Sequence, residues 1–186
     1  SDLLFKERDK TLESADDHRV LIKVLLAQKD AQHTKEAIAE SVKLVEKGEA
    51  VADDRLLLAR LYTQAGEWSK AQEQYSKLLA LQPDNQACLT NYAAELIARI
   101  KPGSSQNEAV EAEKQITKLK QLEPDWMDSG SAAFTLQIEL LKAKGQVEQA
   151  VALIKSAAER PNARLAALGL LSEKLGKLDL AEQLLR

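Results

Sequence analysis

The sequence predicts an all-α fold, an α-solenoid of antiparallel helix pairs. Three observations carry that prediction. First, Ala, Leu, Glu, Lys and Gln dominate the 186 residues, and all are good helix formers. Val, Ile and Thr never cluster in the period-two alternation that marks a strand. Second, apolar residues recur at helical spacing in segments punctuated by a few Gly and Pro. Third, a small residue opens the second helix of each segment pair, at Ala37, Ala71, Ala112, Ala150 and Ala181. The intervals are 34, 41, 38 and 31 residues. Self-similarity at such a period marks a repeat architecture, because one pair cannot bury its apolar face and copies must stack.

Residues 1–17 carry Leu3, Leu4, Phe5 and Leu12 among charges and read as the helical remnant of a preceding repeat or cap. Asp16 and Asp17 offer an N-cap where a helix leaves its first amides unpaired. The repeat domain is expected over 18–186, with copies at about 18–51, 52–85, 86–126, 127–161 and a truncated 162–186. In the first copy, Val20, Leu21, Val24, Leu25 and Leu26 predict a helix over 18–29. A polar turn follows over 29–33, then a second helix over 34–47 with Gly48 as its C-cap. The second copy predicts helices over 53–65 and 68–81. Gly66 supplies the turn between them, and Pro83 disfavours helical geometry at Gln82.

The third copy begins near Asn85, with Leu89, Tyr92, Ala93, Leu96, Ile97 and Ile100 on its apolar face. An inserted loop, KPGSSQN, spans 101–107, and Ser105 with Glu108 has the spacing of a capping box that restarts helix. The new helix ends at Pro124. The fourth pair runs from about Ser129 to Glu159 with a turn at Gly145, and Pro161 ends it. The fifth turns at Gly176.

In its best copy the chain resembles the tetratricopeptide repeat family. Leu58-Ala59 sits where the family has Leu-Gly. Tyr62, Gly66, Ala71, Tyr75 and Pro83 fall on the rest of its signature, and Trp68 fills the aromatic slot after the turn. Leu168-Gly169, Gly176 and Ala181 repeat the pattern later. The fourth copy departs from it with Gln137 where Leu is expected, and the first keeps only Val24, Leu25, Ala37 and Leu44. The resemblance implies a right-handed superhelix with Leu58, Tyr62, Trp68, Ala71 and Tyr75 committed to packing. A buried Trp68 predicts a loss of roughly 3–5 kcal/mol for Trp68→Ala.

No catalytic set emerges, and the chain is read as a non-enzyme without metal or cofactor. His18 and His33 lie 15 residues apart in expected loop or cap positions, without accompanying ligand spacing. Cys88, beside Leu89 on a helix, reads as a packed residue, and a single cysteine excludes an internal disulfide. There is no glycine-rich phosphate loop. Asp53-Asp54 reads as a helix start. Trp126-Met127 follows Pro124 and reads either as a plug over the joint between repeats or as an exposed contact point. A net charge of -3 with mixed signs gives no basic stripe, so nucleic acid is not an expected partner. No apolar run approaches the ~20 residues of a membrane-spanning helix.

The resemblance implies that the first helix of each pair lines a concave face that binds a partner protein or peptide. Carried over residue by residue, that face comprises Leu56, Arg60 and Thr63; Thr90, Asn91, Ala94 and Ile97; Thr135, Glu139 and Lys142; and Ala166, Leu170 and Glu173. Of the Lys, Arg and Asn that clamp a C-terminal carboxylate in some members, only Asn91 is present. An amphipathic helix or extended apolar segment fits such a groove better; otherwise the groove packs within the superhelix or against a neighbouring domain. The expected function is a protein–protein interaction module within a larger scaffold protein. The alternative is a structural spacer, or a self-association domain that dimerises through exposed leucines at its C-terminal end, flanking a catalytic or membrane domain outside this chain.

Overall fold

The structure, a computed structural model, describes residues 14–101 and 107–186. Among the described residues there are ten α-helices and no strand. They fall into two compact units, one ending at Pro83 and the other beginning at Asp84.

The first unit holds α1 (Ala15–Ala27), α2 (Ala31–Glu46), α3 (Ala52–Gln64) and α4 (Trp68–Leu81). α1 pairs with α2 and α3 with α4, and α2 packs on α3. Ile22, Leu25, Ala37, Leu44 and Leu61 form a shared core between the pairs. The second unit holds α5 (Gln86–Arg99), α6 (Asn107–Leu122), α7 (Ala132–Ala143), α8 (Val147–Ala158), α9 (Leu165–Lys174) and α10 (Leu178–Leu185). A core cluster joins Phe134, Ile138, Leu141, Ala150, Ile154, Ala157, Leu168 and Leu171 across the last two pairs. α7 also packs on α5 and α6, so Leu136 and Leu140 are buried beside Phe134 and Ile138. A helix apolar nearly all round is one enclosed by neighbours. The repeat residues Ala37, Ala71, Ala112, Ala150 and Ala181 are all buried, as their role at close helix contacts requires.

The turns follow from local chemistry. At Gly66 the backbone enters the left-handed region, with φ +77, which costs glycine nothing. Its N–H donates to the Thr63 carbonyl at 3.1 Å, and that of Glu67 donates to Tyr62 at 2.8 Å. This pair of bonds satisfies carbonyls that the helix end leaves orphaned. The same pair recurs at Gly145 and Gly176. In the first pair the equivalent position is Lys29, at φ 57. Gln82 lies outside the helical region, as Pro83 demands.

Several expected details are corrected. α1 starts at Ala15, earlier than Asp16 and Asp17 suggested, because Ser14 is the better cap. Its hydroxyl accepts from the Asp17 N–H at 3.2 Å, and the Asp17 carboxylate accepts from the Ser14 N–H at 3.1 Å. The turn expected over 29–33 is shorter. Asp30 caps α2 by accepting from the His33 N–H at 2.8 Å, which places His33 in the first helical turn. This bond and a 2.5 Å contact to the His33 ring hold the Asp30 carboxyl below the usual carboxylate range. Lys47, not Gly48, is the C-cap of α2, and Gly48 is the next residue. Trp68 is only half-buried, whereas Leu58, Tyr62, Ala71 and Tyr75 are buried. His18, expected in a loop or cap, is 3% exposed on α1. The readings made on residues 1–13 and on Ser105 lie outside the described residues.

Candidate functional site

The positive-φ residue that ends the first helix of a pair serves as a ruler. Counted back from Gly66, Leu56, Arg60 and Thr63 stand 10, 6 and 3 residues earlier. The same steps from Gly145 reach Thr135, Glu139 and Lys142, and from Gly176 they reach Ala166, Leu170 and Glu173. From Lys29 they reach Arg19, Lys23 and Leu26, which the sequence analysis did not include.

In the second unit this row opens as a cleft of about 650 Å³ lined by Ser129, Thr135, Ala167, Leu170, Leu171, Glu173 and Lys174. The structure thus gathers Thr135, Leu170 and Glu173 from two different helix pairs. Leu170 is 58% exposed, a large apolar side chain presented to the cleft. Ala166 is exposed and Glu139 half-buried. Lys142 has a structural engagement: its ammonium donates to the Lys174 carbonyl at 2.6 Å, satisfying a terminal carbonyl of α9. Ser129 sits behind, with its hydroxyl 3.5 Å from the Arg164 carbonyl. On α5, Thr90, Asn91 and Ala94 are half-buried and Ile97 is buried. The Asn91 amide donates to the Ala87 carbonyl of its own helix at 2.7 Å. In the first unit, on α3, Arg60 is exposed while Leu56 and Thr63 are half-buried.

Two polar arrangements were missed by the sequence analysis. Arg19 reaches from α1 to the buried Asp54 of α3, with Nε 3.0 and 3.2 Å from the two carboxylate oxygens and Nη2 2.9 Å from one of them. Nη2 also donates to the Glu49 carbonyl at 2.9 Å, and Nη1 to Asp16 at 2.8 Å. Asp54 in turn accepts from the Val51 N–H at 3.0 Å. The Asp54 and Asp16 carboxylates raise the Arg19 guanidinium above its already high range. Asp53-Asp54 does begin a helix, but partners 35 residues apart leave no local signal. In the second unit, Lys120 donates to Gln137 at 2.6 Å and lies 4.2 Å over the Trp126 ring. Burial pushes the Lys120 ammonium below the usual lysine range. Gln137, the departure from the family pattern, is therefore the acceptor for a half-buried cation. Trp126 packs on the core of the last two pairs, which is the plug reading of Trp126-Met127.

The titratable residues noted in the sequence are embedded in the scaffold. The His18 Nδ1 lies 2.8 Å from Glu40, and its Nε2 lies 3.2 Å from the Lys47 ammonium. Lys43 completes the cluster at 3.0 Å from Glu40. Cys88 is fully buried on α5, and burial pushes its thiol up to about 12. Among the described residues no three of His, Cys, Asp or Glu gather to hold a metal, and no helix is long and apolar enough to cross a membrane.

Comparison with known proteins places this geometry. The family model described as tetratricopeptide repeat matches residues 52–95. A crystal structure of a tetratricopeptide repeat protein from Parabacteroides merdae ATCC 43184 is similar, with TM-score 0.69 and 17% identity. The match covers 95% of this chain and 66% of that one, so the chain spans just under two thirds of its relative. A structure of MamA AMB-1 is similar at TM-score 0.55 and 16% identity, over 92% of this chain and 90% of that one. No curated protein matches by sequence. Residues 52–95 match the tetratricopeptide repeat model, and the chain around them has the fold of tetratricopeptide-repeat proteins.

Proposed function

We propose that this chain is a protein-interaction module of a larger scaffold protein. It takes a partner peptide or helix along the first-helix row and performs no chemistry on it. The observation that carries this reading is the cleft between α7 and α9, where Thr135, Leu170 and Glu173 share one opening around an exposed leucine. An apolar floor of Ala167, Leu170 and Leu171 offers area. The rim of Ser129, Thr135, Glu173 and Lys174 offers polar partners for a backbone. In the first unit the row presents Leu56, Arg60 and Thr63. In the second unit, taken by itself, the row presents Thr90, Asn91, Ala94 and Ile97, then Thr135, Glu139 and Lys142, then Ala166, Leu170 and Glu173.

The test uses peptides selected from a random displayed library against the chain, with affinity read by fluorescence anisotropy. Leu170→Glu is expected to weaken the selected peptides about tenfold or more, since it removes a central apolar anchor. Ser156→Glu, at an exposed position on α8, should leave them unchanged. Peptides indifferent to Leu170→Glu and weakened by Ser156→Glu would move the site off the row.

A second reading, a structural spacer or self-association domain beside a catalytic or membrane domain, draws on the last helix pair. There Leu178 and Leu185 are exposed, and exposed apolar side chains favour association.

A further inference from the structure

The ruler that locates the row also locates a second face of each first helix. Nine and five residues before Gly66 stand Leu57 and Leu61. Before Gly145 they are Leu136 and Leu140, and before Gly176 they are Ala167 and Leu171. In each case the first helix packs on the second helix of the pair before it: α3 on α2, α7 on α6 and α9 on α8. Leu61 shares a core with Ala37 and Leu44 of α2, and Leu57 packs against that core. Leu171 shares a core with Ala150, Ile154 and Ala157 of α8, and Ala167 is half-buried. Leu136 and Leu140 are buried. On α1 the same steps from Lys29 reach Val20 and Val24, which are 59% and 54% exposed. The two positions are apolar in all four helices, yet only on α1 are both open.

The covering helices also say where their contact residue stands in the chain. The last buried residue of each is Leu44, Leu119 or Ala157. It lies 17, 21 or 14 residues before Leu61, Leu140 or Leu171. Counted back from Val24, that window is residues 3–10, and its apolar members are Leu3, Leu4 and Phe5. We propose that Leu3, Leu4 and Phe5 cover the Val20–Val24 face of α1, in the place that a preceding second helix takes on α3, α7 and α9. The segment joins α1 at Ser14, the cap of that helix, so the contact is made within one chain. Two valines one helical turn apart form an apolar strip on α1, and an aromatic ring with two leucines gives it area to bury against. The contact withdraws from the surface a strip that would otherwise favour association. It uses none of the residues of the proposed binding row and stands or falls without it.

The experiment is limited trypsin digestion of the 186-residue chain, which carries cleavable sites at Lys6, Arg8 and Lys10. Circular dichroism confirms the fold of each variant. Cleavage at these sites is expected to be slow in the wild type, because opening must precede it. Val24→Asp should speed it about tenfold or more, the loss expected for one buried valine. Phe5→Ala should have the same effect, and the double variant should be no faster than the faster single one, because either change already breaks the contact. Val110→Asp, at an exposed position of α6, should leave the rate unchanged. Nuclear Overhauser contacts from the Phe5 ring to the Val20 and Val24 methyls, unchanged on dilution, are expected alongside. Equal rates in wild type and Val24→Asp, or effects that multiply in the double variant, overturn the proposal. Contacts found only between differently labelled chains also overturn it and give the face to a second copy. Valine methyls without any contact from Phe5 overturn it and leave the face to a different protein.

Discussion

The cost of each side chain follows from its surroundings in the pair. Phe134 is fully enclosed at the centre of the last two pairs, so Phe134→Ala should cost about 3–5 kcal/mol in urea unfolding. Trp68 stands at the first position of α4 and is half-buried, so Trp68→Ala should cost less, about 2 kcal/mol. Equal costs for the two would contradict these burials. Lys29 holds a left-handed conformation that the other pairs give to glycine. Lys29→Gly should therefore stabilise the chain by about 1 kcal/mol, read as a higher urea midpoint at unchanged slope. A loss of stability would mean that the greater unfolded-state freedom of glycine outweighs the relieved strain. Leu58, Tyr62, Ala71 and Tyr75 were legible as packed because they fall on the signature positions of the family that the sequence resembles. The sequence misplaced Trp68 because an aromatic signature does not say how far a neighbouring helix extends over it.

At the level of the helices, boundaries were readable wherever Gly or Pro forces the backbone. The turn at Gly66 and the stop before Pro83 needed no tertiary information. The start of α1 was misread because Ser14 and Asp17 cap reciprocally, a geometry that a pair of adjacent aspartates obscures. The link between the first two pairs was not readable at all. Arg19 and Asp54 meet only once α1 and α3 lie side by side. Their geometry makes a specific claim about coupling. In a double-mutant cycle on thermal unfolding, Arg19→Ala and Asp54→Ala should show strong coupling. Arg19→Ala and Asp16→Ala should show little, because the Asp16 side chain is 88% exposed and its attraction is screened. Similar coupling in both cycles would remove the claim that the buried carboxylate joins the pairs.

Across the molecule, repetition made the fold legible. Five small residues at repeat-like intervals are each buried at a close helix contact, and one buried position per pair sets the register of the rest. The proposed binding row gained nothing from that logic. Thr135, Leu170 and Glu173 could be named from the family resemblance but not joined into a cleft, because the cleft forms only where two helix pairs meet. Lys142 shows why: the register puts it on the row, yet its ammonium closes the end of α9. The central claim is that a partner lies along this row, and amide and methyl NMR shift mapping with a library-selected peptide tests it most directly. The account predicts saturable shifts at Thr135, Leu170 and Glu173, with none at Ser156, an exposed residue of α8. Shifts confined to the second helices of the pairs, with Leu170 unmoved at saturation, would contradict it.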